Sequence, residues 1–360
     1  VGLESKESEK VHELLQKLGY PSVTTLKHIL RNKSLENIPL TAKEVDHAIK
    51  LIGEPVALIK GKTTQAKPRK SSSRPSDDSL VLHADIMELL NYRFLVVAVT
   101  PIQLVLTYPL NNKNADTLFE AISVLVGVLK SYNKKVSILK CDSEANFQKI
   151  IPRVNHLGIR VEVAGPGKHV PLVERRIRQI KERARCIYNA LPYKLPAESL
   201  PFLATYATAM LNLCPSVHDS DGICPRQRLT DEKPDFASLC RSYFGELVHV
   251  TDPKPVAGYN SMTPRPRLAM ALSPSGNSQG SWRFLDLQTR KVITRDDWKV
   301  QKLNNYFIEL LNNFSEIPKT IAQSTENDGE IPCQHSGNSN NDELVIPIDI
   351  DTPFEADTNS

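Results

Sequence analysis

The chain has no run of about 18 apolar residues, the length a membrane-spanning helix needs, and its first residues are polar, so neither a span nor a signal peptide is indicated. Cysteine is sparse. The six that occur, Cys141, Cys186, Cys214, Cys224, Cys240 and Cys333, form no C-x-x-C pair. Their scatter argues against a zinc knuckle or a disulfide framework and suits a reducing compartment. No internal repeat is present. What remains is a soluble composition, 40% hydrophobic and 24% charged over 360 residues, enough for two or three modules. The chain opens on Val1 rather than Met, as a fragment or a piece cut from a larger polyprotein would.

The net charge of +4 hides a segregation. From Glu316 onward ten acids face one base, Lys319, which leaves 44 bases against 31 acids in the first 315 residues. A body with a surplus of +13 is what a polyanion binder needs, and it also serves plain solubility.

Residues 1–60 have helical periodicity: Val11, Leu14, Leu15 and Leu18, then Leu26, Ile29 and Leu30, then a third segment over Ala42–Ile52. A Ser/Pro-rich basic stretch follows (61–79), with Lys62, Lys67, Arg69, Lys70 and Arg74 able to touch phosphates. From Leu80 the texture changes to β. Leu80–Met87, Phe94–Thr100 and Gln103–Leu110 read as an antiparallel meander. A helix over Ala115–Tyr132, a strand over Lys135–Lys140, a helix over Glu144–Leu157, a strand over Ile159–Val163 and a helix over about Pro171–Ala190 follow. That is the element order of an RNase H-like domain, although other α/β domains share parts of it. The core is assigned to 80–215, a linker to 216–246, a small β-barrel to 247–300 and a mostly disordered acidic tail to 301–360.

Three acids stand out. Asp85 lies inside the first strand, where a carboxylate is costly to bury without a cation or another partner. Asp142 ends the fourth strand, a neighbour of the first in such a sheet, and Glu174 opens the helix after the glycine loop Gly165-Pro166-Gly167. Oxygen donors of this kind suit Mg²⁺ or Mn²⁺. A two-metal site, with ions about 3.5–4 Å apart, supports in-line displacement at phosphorus without a protein nucleophile. Water would attack in end trimming and a DNA 3′-hydroxyl in strand transfer. Taken singly, each acid has a plainer role: an Asp at a strand end commonly caps a helix, and a Glu in a first turn answers the helix dipole. Glu144 is a rival ligand by proximity and is expected to cap or face solvent.

Glu174, Arg178, Lys181 and Arg185 fall at offsets 0, 4, 7 and 11, one face of that helix. Val173, Ile177, Ile180, Ala184 and Ile187 form its apolar stripe, and Arg175, Arg176 and Arg183 widen the basic surface. A carboxylate heading a basic stripe fits a helix lying along DNA; a solvated cationic face with internal ion pairs fits the pattern too.

These residues resemble those of a copia-type LTR-retrotransposon integrase, a divergent subgroup of the retrovirus-related Pol polyprotein integrase core. His83-Ala84-Asp85 resembles the family's H-x-D opening, and Cys141-Asp142-Ser143-Glu144-Ala145-Asn146-Phe147 its second-acid motif in degraded form. Gly167-Lys168-His169-Val170-Pro171-Leu172-Val173-Glu174-Arg175-Arg176-Ile177-Arg178 is the most specific piece. Downstream, Lys233-Pro234-Asp235 through Phe244-Gly245 resembles the segment leading to a small barrel, and Leu272-Ser273-Pro274-Ser275, Trp282-Arg283-Phe284-Leu285-Asp286 and Arg290-Lys291-Val292-Ile293 resemble the barrel itself. The resemblance implies a transposable-element protein catalysing DNA integration with Asp85, Asp142 and Glu174 on two Mg²⁺ or Mn²⁺ ions. It implies DNA contact through Arg175, Arg178, Lys181 and Arg185, assembly with further integrase chains, and action in the nucleus after cytoplasmic synthesis.

Two departures matter. The 32 residues from Asp142 to Glu174 are fewer than the family's usual spacing, with the deficit in the glycine loop. Where the family's N-terminal zinc module has histidines, this chain has Leu15 and Tyr20, and no cysteine accompanies His12, His28 or His47. No zinc is therefore expected, and the module is expected to be an apolar helical one. These losses keep open a catalytically idle nucleic-acid-binding remnant, and the carboxylates alone would also serve a nuclease that only hydrolyses.

Overall fold

The computed structural model describes residues 2–62, 79–164, 170–217, 219, 221–251, 266–276 and 280–316. Most of the basic stretch, the glycine loop at 165–169 and the acidic tail from 317 lie outside the described residues.

Four helices come first: α1 (Gly2–Lys17), α2 (Val23–Asn32), α3 (Ala42–Ile52) and α4 (Val56–Lys62). Their ends are written in the sequence. Ser22 accepts from the Thr25 backbone N–H at 3.0 Å, and Thr41 forms a capping box with Glu44. Leu15 and Tyr20, at the expected histidine positions, are fully buried beside Leu14, Leu18, Leu26 and Ile29. This module sits directly on the rest of the chain. α4 crosses a later helix where Gly61 meets Cys186 so closely that an added Cβ would lie 2.0 Å from its sulfur.

The central sheet comprises β1 (Leu80–Leu89), β2 (Tyr92–Thr100), β3 (Leu104–Leu110), β4 (Val136–Cys141) and β5 (Arg160–Val163), in the order β3-β2-β1-β4-β5. The first three are antiparallel; β4 pairs parallel to β1, and β5 parallel to β4. Their connections are α5 (Ala115–Ser131) and α6 (Ala145–His156), and α7 (Pro171–Ala190) and α8 (Leu200–Asn212) follow. A meander extended by two parallel strands through helical crossovers is the RNase H-like topology expected from the element order. Strand periodicity divides the packing. Leu80, Leu82 and Ala84 of β1 join the core under α5 and α6, while Met87, with Val96 and Ala98 of β2, joins the core under α7 and α8.

A second five-stranded sheet follows: β6 (Leu247–Thr251), β7 (Pro266–Pro274), β8 (Trp282–Asp286), β9 (Val292–Arg295) and β10 (Trp298–Val300), all antiparallel, in the order β10-β6-β7-β8-β9. Trp298 of β10 meets Phe284 and Trp282 of β8 at ring distances of 5.0 and 6.2 Å, although β6 and β7 separate those strands in the sheet. Contact across two intervening strands requires the sheet to curl into a barrel-like form.

Two expectations need correcting. The segment from 216 to 246 is packed rather than a bare linker. It carries α9 (Pro225–Thr230) and α10 (Phe236–Leu239) and buries Cys224, Leu229, Phe236, Cys240 and Phe244. Order also continues beyond residue 301. Helix α11 (Asn305–Glu316) places Phe307, Ile308, Leu311 and Phe314 on the main core. Its helical stripe is hard to see among Asn304, Asn305, Asn312 and Asn313, which favour turns and caps. No described helix is long and apolar enough to cross a membrane.

Candidate active site and nucleic-acid interface

The β1–β4 register places the two aspartates. The last paired residues are His83 and Lys140, and two further steps along each strand reach Asp85 and Asp142. Side chains alternate along a strand, so Asp85 shares the face of Met87 and of its own cross-strand partner Val96, both in the core beneath α7. Helix α7 lies across β1 and β2 on that face. Pro171 starts it with a ring already set for helical φ, and Glu174 occupies its first turn. Asp85 inside β1, Asp142 just past the end of β4 and Glu174 in the first turn of α7 are therefore near enough for the charges of the latter two to bear on Asp85.

Asp85 is half-buried, and its oxygen accepts the Ile86 N–H at 2.7 Å. Burial pushes its carboxyl up to about 6, reinforced by the negative charges of Asp142, Glu144 and Glu174. Asp142 accepts the Glu144 N–H at 3.1 Å, an Asx turn that delivers the chain into α6. Glu144 stands at the N-cap of α6, exposed and with no side-chain capping bond. His83 is held near pKa 4 by burial and by Lys140, so it is neutral at physiological pH, with its Nε2 3.3 Å from the Thr100 hydroxyl. Burial raises the Cys141 thiol to about 12, which removes it from chemistry. As placed here, no three His, Cys, Asp or Glu side chains among the described residues are gathered closely enough to hold a metal ion. The acids lie near one another, not at a common coordination point.

On α7, Arg175, Arg178 and Arg185 are exposed and Lys181 is half-buried, so the stripe headed by Glu174 reaches solvent. Arg183 does not belong to that surface. It is 5% exposed and donates to the Leu18 carbonyl at 3.2 Å, placing its cation at the C-terminal end of α1. The periodicity explains the correction, because Arg183 falls half a turn away from the stripe, where the N-terminal module packs.

Arg176 also turns inward. It donates to Gln179 at 2.9 Å and to Gln103 at 3.5 Å. Gln103 in turn donates to Asp219 at 2.7 Å, and Arg228 pairs with Asp219 and Asp221 at 3.2 and 2.7 Å. This relay ties the first turns of α7 to the β2–β3 connection and to α9. Sequence reasoning missed it, since nothing marks an isolated glutamine 73 residues from its arginine.

No protein-family model and no curated protein matches the sequence. Among solved structures, the chain is similar to the catalytic core domain of BIV integrase, at 18% identity over 42% of this chain and 93% of that one, with a TM-score of 0.34. It is similar to the HTLV-2 integrase catalytic core domain in complex with magnesium, at 17% identity over 42% and 96%, TM-score 0.34. A chain of the simian T-cell lymphotropic virus intasome in complex with PP2A regulatory subunit B56 gamma is matched at 15% identity over 79% and 100%, TM-score 0.40. The fold stands on strand order and register.

Proposed function

We propose that the protein is a copia-type retrotransposon integrase that trims and joins DNA ends by metal-dependent phosphoryl transfer, with Asp85, Asp142 and Glu174 as its carboxylates. The observation that supports this is the nearness of Asp142 and Glu174 to a half-buried Asp85, whose carboxyl is pushed up to about 6 by burial and by their negative charge. Asp85 forms no ion pair with a described residue, and an all-oxygen donor set suits Mg²⁺ or Mn²⁺. Asp85, Asp142 and Glu174 would hold two such ions. A bound divalent cation would supply activation of the attacking oxygen and stabilisation of the leaving one.

The chain's own parts have separate tasks. Arg175, Arg178, Lys181 and Arg185 take backbone phosphates and lay the duplex along α7 towards Glu174. The relay through Arg176 and Gln103 fixes the helix on the sheet, and β1 and β4 present their acids from a rigid frame. Assembly with further copies of the chain, and action in the nucleus, belong to the same proposal.

One observation favours a second reading, an idle nucleic-acid-binding remnant: the carboxylates do not gather into a metal-holding group as placed here. The two separate in a strand-transfer assay with short duplex ends, plasmid target and Mg²⁺ or Mn²⁺. Joined product that disappears on Asp142→Asn supports the integrase. Salt-sensitive DNA binding without joining, on cognate ends, supports the remnant.

A further inference from the structure

A basic surface and an acidic segment of this chain carry opposite charges. The surface is the outer stripe of α7, where Arg175, Arg178 and Arg185 are exposed and Lys181 half-buried. The segment is 342–357, which holds six acids (Asp342, Glu343, Asp349, Asp351, Glu355 and Asp357) and no base. We infer that this segment docks on the α7 stripe of its own chain and competes there with DNA. The competition rests on the polyanion-binding role proposed above, whereas the docking itself does not.

Placement supports the contact. Helix α11, which leads into the tail, is fastened beside the end of α7. Lys194, four residues past Ala190, donates its backbone N–H to Asn312 at 2.8 Å and pairs its ammonium with Glu316 at 2.8 Å. Arg290 donates to the Phe314 carbonyl at 3.0 Å and stacks 4.1 Å over the Phe314 ring. The tail therefore starts within a few residues of the C-terminal end of the basic helix.

Length allows the contact too. Between Glu316 and the acidic segment lie 25 residues, 317 to 341, and a flexible linker of that length has a root-mean-square span of roughly 25–30 Å. The 20 residues of α7 extend about 30 Å. When span and reach match, tethering gives an effective concentration on the order of millimolar, so weak ion pairing suffices. The sixteen residues of the acidic segment supply carboxylates interspersed with apolar groups such as Ile348, Ile350 and Phe354, and the exposed Tyr188 on α7 lies beside the stripe. The result is a DNA entry face that ligand must win from the chain's own polyanion.

The test uses the full-length chain with the six acids neutralised (Asp342→Asn, Glu343→Gln, Asp349→Asn, Asp351→Asn, Glu355→Gln and Asp357→Asn). A labelled synthetic peptide of residues 342–357 is titrated onto it. Saturable binding is expected at low salt, abolished at about 0.5 M salt. Adding Arg178→Glu and Lys181→Glu is expected to weaken it about tenfold or more. Absence of binding, or binding unmoved by charge reversal, overturns the docking. In a second arm, the neutralised chain is expected to bind a duplex of about 25 base pairs roughly tenfold more tightly than the unaltered chain at about 50 mM salt, with the gap closing as salt rises. Equal affinities overturn the competition. The peptide arm contains no DNA, so a chain that takes the peptide and no duplex retains the docking and loses the DNA-binding role.

Discussion

Asp85 and Asp142 each lie two residues beyond the last paired positions of the parallel β1–β4 register, His83 and Lys140, and the charge of Asp142 bears on Asp85. The register brings two negative charges near each other, and the first turn of α7 adds Glu174 to them. A fold tolerates such an arrangement only at a cost in stability, and that cost is measurable.

The Asp85 carboxyl sits at about 6 in the folded protein, above its ordinary value of 3.8. The folded state therefore favours the protonated form. No penalty applies below about pH 4; it grows as pH rises through the folded value and is complete above it. Asp85→Asn is expected to stabilise the metal-free protein at pH 7.5 by about 1–2 kcal/mol, discounted for partial exposure, and to give no gain at pH 4. Urea unfolding of both proteins at the two pH values checks this, and an equal gain at both would contradict it.

The same shift sets a pH dependence for cation binding. Ligand carboxylates must be deprotonated, so the Mn²⁺ concentration giving half-saturation is expected to rise severalfold from pH 7.5 to pH 5.5. Titration followed by calorimetry or Mn²⁺ relaxation reports it. Affinity flat across that range would remove Asp85 from the ligand set.

The exposed pair Arg178 and Lys181 and the buried Arg183 on α7 are expected to behave differently. Arg178→Glu with Lys181→Glu should weaken duplex binding and lower the salt slope by about two or more, with unfolding stability nearly unchanged. Arg183→Met should leave the salt slope intact and cost about 1.5–3 kcal/mol of stability, because the buried Leu18 carbonyl loses a charged donor. Fluorescence anisotropy and urea melts on both variants distinguish surface from core.

Glu198 and Arg290 form a two-point ion pair at 2.7 and 3.1 Å, their side chains 5% and 10% exposed, joining the turn before α8 to the β8–β9 hairpin. Glu198→Gln leaves a buried guanidinium without its counter-charge and is expected to cost about 3 kcal/mol. A midpoint shift in thermal unfolding measures it, and an unchanged midpoint would mean the pair is not buried in solution.

Much of this was legible in the sequence because it depends on local periodicity. Alternation in Leu80–Met87 and the three- and four-residue spacing in α7 fix which side chains share a face, so the core topology and the Glu174–Arg178–Lys181–Arg185 stripe can be read directly. What escaped depends on contacts between distant segments. Arg183 looks like one more surface arginine until α1 brings Leu18 against it. Gln103 has no meaning until α7 and Asp219 flank it. Helix α11 is concealed by asparagines and earns its order from packing against the barrel-like sheet rather than from propensity. The acids were identified as candidates from position, but their electrostatic coupling appears only when two strands and a helix meet.

The most direct test is strand transfer by purified protein with Mg²⁺ or Mn²⁺, labelled cognate duplex ends and plasmid target, run beside Asp85→Asn, Asp142→Asn and Glu174→Gln. The account expects joined product from the unaltered chain and none from any of the three, with duplex affinity retained in all. Joining that survives in Glu174→Gln, or its absence throughout despite intact DNA binding, would contradict it.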